Sequence, residues 1–299
     1  MISRPAPYSP FRKIGNRCTS CNEREIGRDR IESTALRLAA VMLSIALSFQ
    51  SAIAGERFDH ALGHFETQST KQGIIITAPH GTYDIRTDVL AQDVARILGA
   101  GYIVARDFSS GASRINVNRP TEGAGRVCER ERRTERARDV YDHYARLIGR
   151  NIENQPLRLY VEIHGHTSLP FPSRLEIATT GITMEEARQL KERFSIFLAH
   201  AKAVYPAYPE LELRIEPLDK VFFGAGCSKK IGYLSTRQMN RALHMEIPRS
   251  ARIPETLEAT AALISSIVRV TMNLAEPNFD QANKNVPEAG VTPAGSAAR

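Results

Sequence analysis

The chain has 299 residues, of which 42% are hydrophobic and 24% are charged, a composition typical of a globular protein with one large domain or two small ones. The net charge of +7 is concentrated near the N-terminus, because residues 1–54 hold eight Lys or Arg and four Asp or Glu and leave 32 basic and 29 acidic residues for the remainder. Proteins that bind nucleic acid usually carry a larger, clustered surplus, so we expect no nucleic-acid partner.

The first recognisable element is a targeting segment, TALRLAAVMLSIALSFQSAIAGE. An arginine precedes an apolar stretch, Leu38 to Phe49, and the small residues Ala52 and Ala54 follow. This order predicts a leader and secretory signal peptide over residues 1–54, with cleavage after Ala54. The stretch is short for a membrane span, although an uncleaved interfacial anchor is the alternative. We therefore expect a secreted or periplasmic protein without stable membrane insertion after cleavage.

After the signal, predicted strands alternate with predicted helices. Residues 55–72 predict a polar lead-in, residues 109–127 an irregular loop or a short strand within a loop, and residues 276–299 a disordered tail. Strands are expected at Gly73 to Pro79, Tyr102 to Phe108, Leu157 to Thr167, SRLEIATTG, LELRIEPL and Ala242 to Ile247. Helices are expected at TDVLAQDVARILG, ERARDVYDHYARLIGRNI, TMEEARQLKERFSIFLAHAKAVY and IPETLEATAALISSIVRVTMNLA. The alternation predicts one catalytic domain over residues 55–275, an α/β protein with a three-layer α/β/α sandwich and a mostly parallel mixed sheet.

The cysteines follow the same division. Cys18 and Cys21 precede the signal cleavage site, and no second CxxC accompanies them as a metal site would require. Cys128 and Cys227 are the two cysteines of the mature part. Export would allow them to form one disulfide, and two buried free thiols are the alternative.

Three of the predicted strands end in polar residues of types that bind metals. These are His80 with Asp84 and Asp88, then Glu162 with His164 and His166, then His244 with Glu246. Open α/β sheets bind ligands at the carboxyl ends of their strands, and two imidazoles with one carboxylate form a catalytic zinc site. Another carboxylate nearby could accept a proton. The alternatives are loop histidines with ordinary hydrogen bonds, and a salt bridge from Glu246 to Arg249 or another arginine.

The loop SRINVNRP adds groups that could hold an anion. Arg114 and Arg119 lie in a stretch rich in Gly and Ser, with Asn118 next to the second arginine. Guanidinium groups pair with carboxylates through two parallel hydrogen bonds, and the Asn118 amide can donate to the same ligand. A surface loop with solvated arginines is the alternative.

Four motifs, APHGTYD, SRINVNRP, VEIHGHT and LHMEIPRSAR, occur in this order between about Ile74 and Arg252. Together they resemble the N-formylglutamate amidohydrolase family and, more distantly, they are similar to the zinc carboxypeptidases and the phage poly-γ-glutamate hydrolases. The resemblance covers most of the mature chain. It implies a zinc carboxypeptidase-like fold and an amidohydrolase with one Zn²⁺ per chain.

The resemblance also implies a set of metal ligands. His80 and His164 match the two metal histidines of the family, and Asp84 matches the carboxylate ligand. The spacing departs from the HxxE of the carboxypeptidases, because Asp84 lies four residues after His80 and is shorter than a glutamate. Asp88 therefore stays a rival ligand. Glu246 matches the catalytic glutamate, which takes a proton from water and passes it to the leaving amine.

Further roles implied by the resemblance concern the substrate. Arg114 would polarise the scissile carbonyl and stabilise the oxyanion, and Asn118 with Arg119 would hold a substrate carboxylate. His166 and His244 match no residue of the family motifs; we expect both around the site, with His166 beside the substrate.

The predicted function is therefore that of a zinc-dependent amidohydrolase acting on a small, carboxylate-bearing substrate. The bond cleaved would be a formyl, γ-glutamyl or peptide-like amide. N-formylglutamate itself is less favoured, because histidine catabolism is cytoplasmic and this chain carries an export segment. The alternative is a non-catalytic binding protein for an anionic small molecule on the same fold.

Overall fold

An eight-stranded mixed sheet organises the described part of the computed structural model, which comprises residues 55–108, 114–123, 128–153, 155–167 and 170–284. These ranges belong to one compact unit, Ala54–Arg299. The expected leader and signal peptide, and the last part of the expected tail from residue 285 onward, lie outside the described residues. Within the described ranges, no helix is both long enough and apolar enough to span a bilayer.

The strands of the sheet follow the order β1-β2-β4-β3-β7-β10-β8-β9. The central strands β4, β3, β7 and β10 are parallel, β8 and β9 are parallel to each other, and the β1–β2, β2–β4 and β10–β8 pairs are antiparallel. Two short strands, β5 and β6, form a separate pair. The strand bounds are β1 Glu56–His60, β2 Gly63–Gln68, β3 Ile74–Ala78, β4 Gly101–Arg106, β5 Ile115–Asn116, β6 Thr121–Glu122, β7 Leu159–His166, β8 Arg174–Thr180, β9 Glu212–Ile215 and β10 Ala242–Pro248.

Helices cover both faces of the sheet. Their bounds are α1 Thr87–Leu98, α2 Glu135–Asn151, α3 Met184–Val204, α4 Gly226–Ile231 and α5 Leu257–Lys284. Apolar side chains of α1, α3 and α5 share one buried cluster with Ile76, Val161 and Met245 of the sheet. Helix α2 packs on the opposite face, where its Tyr144 joins a second cluster with Tyr160. The predicted three-layer α/β/α sandwich with a mostly parallel mixed sheet is confirmed.

Local sequence signals explain where the main helices begin and end. Helix α3 starts at a capping box, in which the Thr183 hydroxyl accepts from the Glu186 amide and the Glu186 carboxylate accepts from the Thr183 amide. Helix α1 ends at Gly99, whose φ of 66° is a left-handed conformation that glycine adopts without steric cost.

Two boundaries differ from the prediction. The polar lead-in expected at residues 55–72 contains the antiparallel strands β1 and β2. The prediction missed these strands because the segment is polar in composition. The hairpin lies at one edge of the sheet, and in β2 buried residues alternate with more exposed ones. The last helix also continues past residue 275, the expected end of the domain, to Lys284.

A disulfide joins Cys128 and Cys227, which are 99 positions apart in sequence. It decides between the two alternatives left by the sequence, a disulfide or two free thiols. The bond connects the short 3₁₀ turn Cys128–Arg130 to helix α4. A crosslink over such a long loop stabilises the fold mainly by restricting the unfolded chain.

Candidate metal centre and substrate cavity

The turn after β3 brings the side chains of His80 and Asp84 together. The amides of Tyr83 and Asp84 both donate to the His80 carbonyl, at 2.9 and 2.8 Å, so residues 80 and 84 are related like two positions one helical turn apart. The His80 Nδ1 and Asp84 Oδ2 atoms therefore lie 3.4 Å apart. This backbone turn explains how an aspartate four residues after the histidine comes into contact with it.

His164, near the end of β7, completes a group of three potential ligands. Its Nδ1 lies 3.3 Å from the same Asp84 oxygen, and the ligand atoms of His80, Asp84 and His164 all lie within 4.8 Å of one another. All three side chains are buried. Asp88, the rival ligand, turns away in the first turn of α1 and pairs with Arg106.

The three side chains fit a zinc ion. Two ligands with metal bonds of about 2.0–2.1 Å in a tetrahedral site lie about 3.3 Å apart, which agrees with the two contacts of Asp84 Oδ2. Burial lowers the pKa of His80 to about 4, although its contact with Asp84 acts in the opposite direction, so this imidazole keeps a lone pair for a metal. The ring nitrogen that faces Asp84 Oδ2 is Nδ1, so a metal in this position would be bound through that atom.

Beneath His164 lies Glu162, whose position on β7 makes it point to the same side of the sheet. It is fully buried. Its carboxylate accepts from the Asn118 amide at 3.0 Å and the Tyr160 hydroxyl at 2.9 Å, and it contacts His164 Nε2 at 3.2 Å and His244 Nδ1 at 2.8 Å. Burial raises the pKa of a carboxyl, but the contacts with His164 and His244 outweigh it and hold the pKa of Glu162 well below its usual range.

His164 is therefore held between two carboxylates. Burial lowers its pKa, but the contacts with Asp84 and Glu162 prevail and raise the pKa of His164 above its usual value. A metal would take the place of the proton on the Asp84 side, and the Glu162 contact would then fix the ring orientation, as carboxylates commonly do for metal-bound histidines.

A second group with suitable spacing consists of Glu162, His164 and His244. We favour the first group, because Glu162 already accepts from several protein donors and does not line the cavity described next. By contrast, all three residues of the first group line that cavity.

The first group lies on the wall of a cavity of about 630 Å³. Glu246 of β10 lines the same cavity and stands beside His164 in the strand register. Its carboxylate lies 3.4 Å from His244 Nε2, and within the described ranges it forms no ion pair with Arg249 or with any other arginine. The salt-bridge alternative for Glu246 therefore does not hold, and a carboxylate is available close to the candidate metal centre.

The cavity also contains Arg114. Its guanidinium lies 4.0 Å above the ring of Tyr83, and its Nη2 atom lies 3.4 Å from His80 Nδ1. A cation in this position is well placed to stabilise negative charge that develops next to the metal.

Asn118 and Arg119 occupy positions that the motif did not suggest. Asn118 is fully buried and does not line the cavity, since its amide donates to Glu162. Arg119 lines the cavity, but it donates to both oxygens of Glu131, at 2.8 and 2.6 Å, and to Asn118 Oδ1. Direct binding of a substrate carboxylate by this pair stays a prediction that the observed partners do not favour.

His166 lines the cavity next to an aromatic wall. Its ring lies 5.1 Å from that of Phe223, and its Nε2 donates to the Arg174 carbonyl at 2.8 Å. Two successive backbone amides, of Phe222 and Phe223, donate to the buried Glu176 carboxylate. This carboxylate fixes the loop that forms the wall.

Sequence reasoning missed the role of Glu162. The signal was available, because Glu162 lies two residues before His164 on an otherwise apolar strand and must share its face. Glu131 and Glu176 were also missed. Neither lies near a recognised motif, and only the folded chain brings them into contact with residues of the cavity wall.

Comparison with known proteins gives matches among solved structures alone. No protein-family model and no curated protein matches the chain. A bacteriophage poly-gamma-glutamate hydrolase is similar with 12% identity and a TM-score of 0.44, over 73% of this chain and 93% of that one. The N-formylglutamate amidohydrolase of Ralstonia eutropha JMP134 has 15% identity and a TM-score of 0.42, over 73% and 99%. A metallo-carboxypeptidase from Burkholderia cenocepacia has 15% identity and a TM-score of 0.37, over 79% and 68%. These proteins represent the families that the sequence motifs resemble. At 12–15% identity they do not establish the activity of this chain.

Proposed function

We propose that the protein is a zinc-dependent amidohydrolase that cleaves a formyl, γ-glutamyl or peptide-like amide bond in a small, carboxylate-bearing substrate. One observation carries the proposal: His80, Asp84 and His164 converge at a cavity whose wall also holds Glu246. Three protein ligands with an open side, next to a further carboxylate, are the parts that metal-assisted hydrolysis requires.

Each residue has a role in the proposed reaction. A zinc ion held by His80, Asp84 and His164 would polarise the scissile carbonyl and lower the pKa of a water molecule. Glu246 takes the proton from the attacking water and then delivers it to the leaving amine. Arg114 donates to the oxygen on which negative charge develops.

Residues behind the cavity hold these groups in place. Glu162 fixes the ring of His164 through Nε2 and the ring of His244 through Nδ1. His244 in turn contacts Glu246 through Nε2. The carboxylate that accepts the proton and the metal-ligating imidazole are thus connected to one buried anchor, which favours a constant distance between them.

We also propose that the protein acts outside the cytoplasm, in the periplasm or after secretion. The signal-like segment before residue 55 and the Cys128–Cys227 disulfide support this location. The proposed partner is a small substrate with an amide and a carboxylate, and neither nucleic acid nor a membrane.

Two measurements test the proposed function. Metal analysis of the purified protein should find one zinc per chain, whereas an active protein without metal would refute the mechanism. The variant Glu246→Gln should retain zinc and lose turnover of a panel of N-formyl, γ-glutamyl and peptide amides. Glu255→Gln, an exposed glutamate before α5, is the matched control and should keep full activity. Turnover retained by Glu246→Gln would exclude Glu246 as the base.

Metal analysis and the variant His80→Ala distinguish the alternative, a non-catalytic binding protein. Such a protein would contain no zinc, and His80→Ala would leave its affinity for an anionic ligand unchanged.

A further inference from the structure

A second cavity, of about 340 Å³, lies beside the candidate metal centre. It shares four lining residues with the larger cavity, namely Tyr83, Asp84, Gly165 and Thr167. Three arginines line it as well, Arg86, Arg249 and Arg252. We refer to it as the arginine cavity. None of these arginines has a role in the proposed reaction.

Arg252 is a buried cation. Only 4% of its surface is exposed, and its guanidinium donates to the backbone carbonyls of Ile85, Ile247 and His166. Those bonds use three of its five N–H hydrogens and do not neutralise its charge. A buried charge without a close counter-ion is costly, so its presence calls for an explanation.

The other two arginines add to this positive charge. Arg86 is half-buried, and its Nη1 donates to the Arg252 carbonyl at 3.3 Å; Arg249 is exposed. Within the described residues, none of the three forms an ion pair with a carboxylate. Burial lowers the pKa of Arg252, and so do Arg249 and Arg86, while Asp84 and Glu246 act in the opposite direction. The Asp84 carboxylate lines the same cavity and offsets part of this charge, but three like charges around one cavity still repel unless a further anion lies among them.

A purely structural explanation accounts for one arginine of the three. Arg252 connects the ends of β7 and β10 to the turn before α1, and it packs against Gly165, where a Cβ atom would lie 2.2 Å from the Arg252 Cζ. Within the described part of the chain, the exposed side chain of Arg249 forms no hydrogen bond or ion pair. Arg86 has a φ of 67°, a conformation that suits glycine or asparagine better, so the backbone does not explain an arginine there.

We propose that the arginine cavity is a subsite for a carboxylate of the substrate, reached from the larger cavity past Asp84. The inference rests on the proposed function for the identity of the ligand. It also resolves the position of the substrate carboxylate, because Arg119 in the larger cavity is already neutralised by the buried Glu131. Guanidinium groups without a partner bind a carboxylate better than one that already has one.

The first experiment titrates glutarate, a dicarboxylate, into zinc-loaded protein by calorimetry. Arg249→Gln should weaken glutarate binding about tenfold, and Arg86→Gln combined with Arg249→Gln about a hundredfold, as expected for the loss of one and two charge-assisted contacts. Arg237→Gln, which removes an exposed arginine elsewhere, is the matched control and should have no effect. The neutral analogue glutaramide should bind all variants equally weakly.

Two results would overturn the proposal. The first is an unchanged glutarate affinity in the double variant, particularly if Arg114→Gln abolishes binding, because the carboxylate would then lie in the larger cavity. The second is inorganic phosphate that binds more tightly than glutarate and loses affinity in the same variants, which would assign the cavity to free phosphate. Arg249→Gln alone keeps the test informative if changes at Arg86 disturb folding.

The experiment separates this inference from the proposed function. A zinc titration of every variant should give the wild-type affinity, since the three arginines are not ligands. Failure of the wild-type protein to bind zinc would refute the proposed function, while glutarate titrations of the metal-free protein would still show whether Arg86 and Arg249 bind a carboxylate.

Discussion

Replacing Glu162 by glutamine tests whether a buried carboxylate orients the candidate metal ligand. Glu162 contacts His164 Nε2 at 3.2 Å and His244 Nδ1 at 2.8 Å, and it also accepts from Asn118 and Tyr160. Glutamine has nearly the same shape but one acceptor oxygen fewer and no charge. Its amide group must therefore face at least one of the donors that now point at the carboxylate.

The expected effect on zinc affinity follows from the contact with His164. Loss of a carboxylate that orients a metal-bound histidine typically weakens metal binding about 10- to 100-fold, which is about 1.4–2.8 kcal/mol. The fold itself should be destabilised as well, by about 1–3 kcal/mol, since a buried donor loses its acceptor. Both effects should be measurable in the same preparation.

Competition with a chromophoric chelator measures the zinc affinity, and urea denaturation of the metal-free protein measures stability. Glu186→Gln is the control: Glu186 is also buried, in the capping box of α3, so this variant should lose stability and keep its zinc affinity. A Glu162→Gln protein that is folded and binds zinc as the wild type does would refute the orienting role. Complete loss of zinc binding would instead indicate that Glu162 is itself a ligand, as in the second group of candidate ligands.

Two further predictions concern the aspartates and the disulfide. Asp84→Asn should weaken zinc binding at least a hundredfold, whereas Asp88→Asn should leave it nearly unchanged and reduce stability through the lost pair with Arg106; equal effects on zinc affinity would contradict the assignment of Asp84. Cys128→Ser with Cys227→Ser should lower the free energy of unfolding by about 2–4 kcal/mol, measured by urea denaturation, and an unchanged midpoint would show that the crosslink adds no stability.

The sequence predicts most of the architecture, because the central strands and the main helices have strong local patterns. The β-branched run after Gly73 and the capping residues of α3 each determine an element on their own. The first hairpin was missed for the opposite reason. Strands β1 and β2 are polar and lie at one edge of the sheet. The pairing of β2 with β4 is a tertiary contact, which a local sequence pattern does not predict.

The candidate site divides in a similar way. The grouping of His80, Asp84, His164 and Glu246 around one cavity could be predicted because each belongs to a motif or to the end of a strand. The partners of Arg119 could not, since Glu131 reaches it through a turn that the Cys128–Cys227 disulfide holds against α4. A motif thus predicts which side chains are present, whereas the distribution of charge around them depends on residues brought in by the fold.

The site and the core are built from alternate residues of the same strands. On β7, Glu162 and His164 point toward the cavity side, while Val161 and Ile163 enter the cluster beneath α1, α3 and α5. Strand β10 does the same with His244 and Glu246 against Leu243 and Met245. A shift of either strand by one residue would bury the charged set in the apolar layer and expose the apolar set. The packing of the core therefore also fixes the register of the candidate catalytic groups on these two strands, whereas His80 and Asp84 are positioned by the turn after β3.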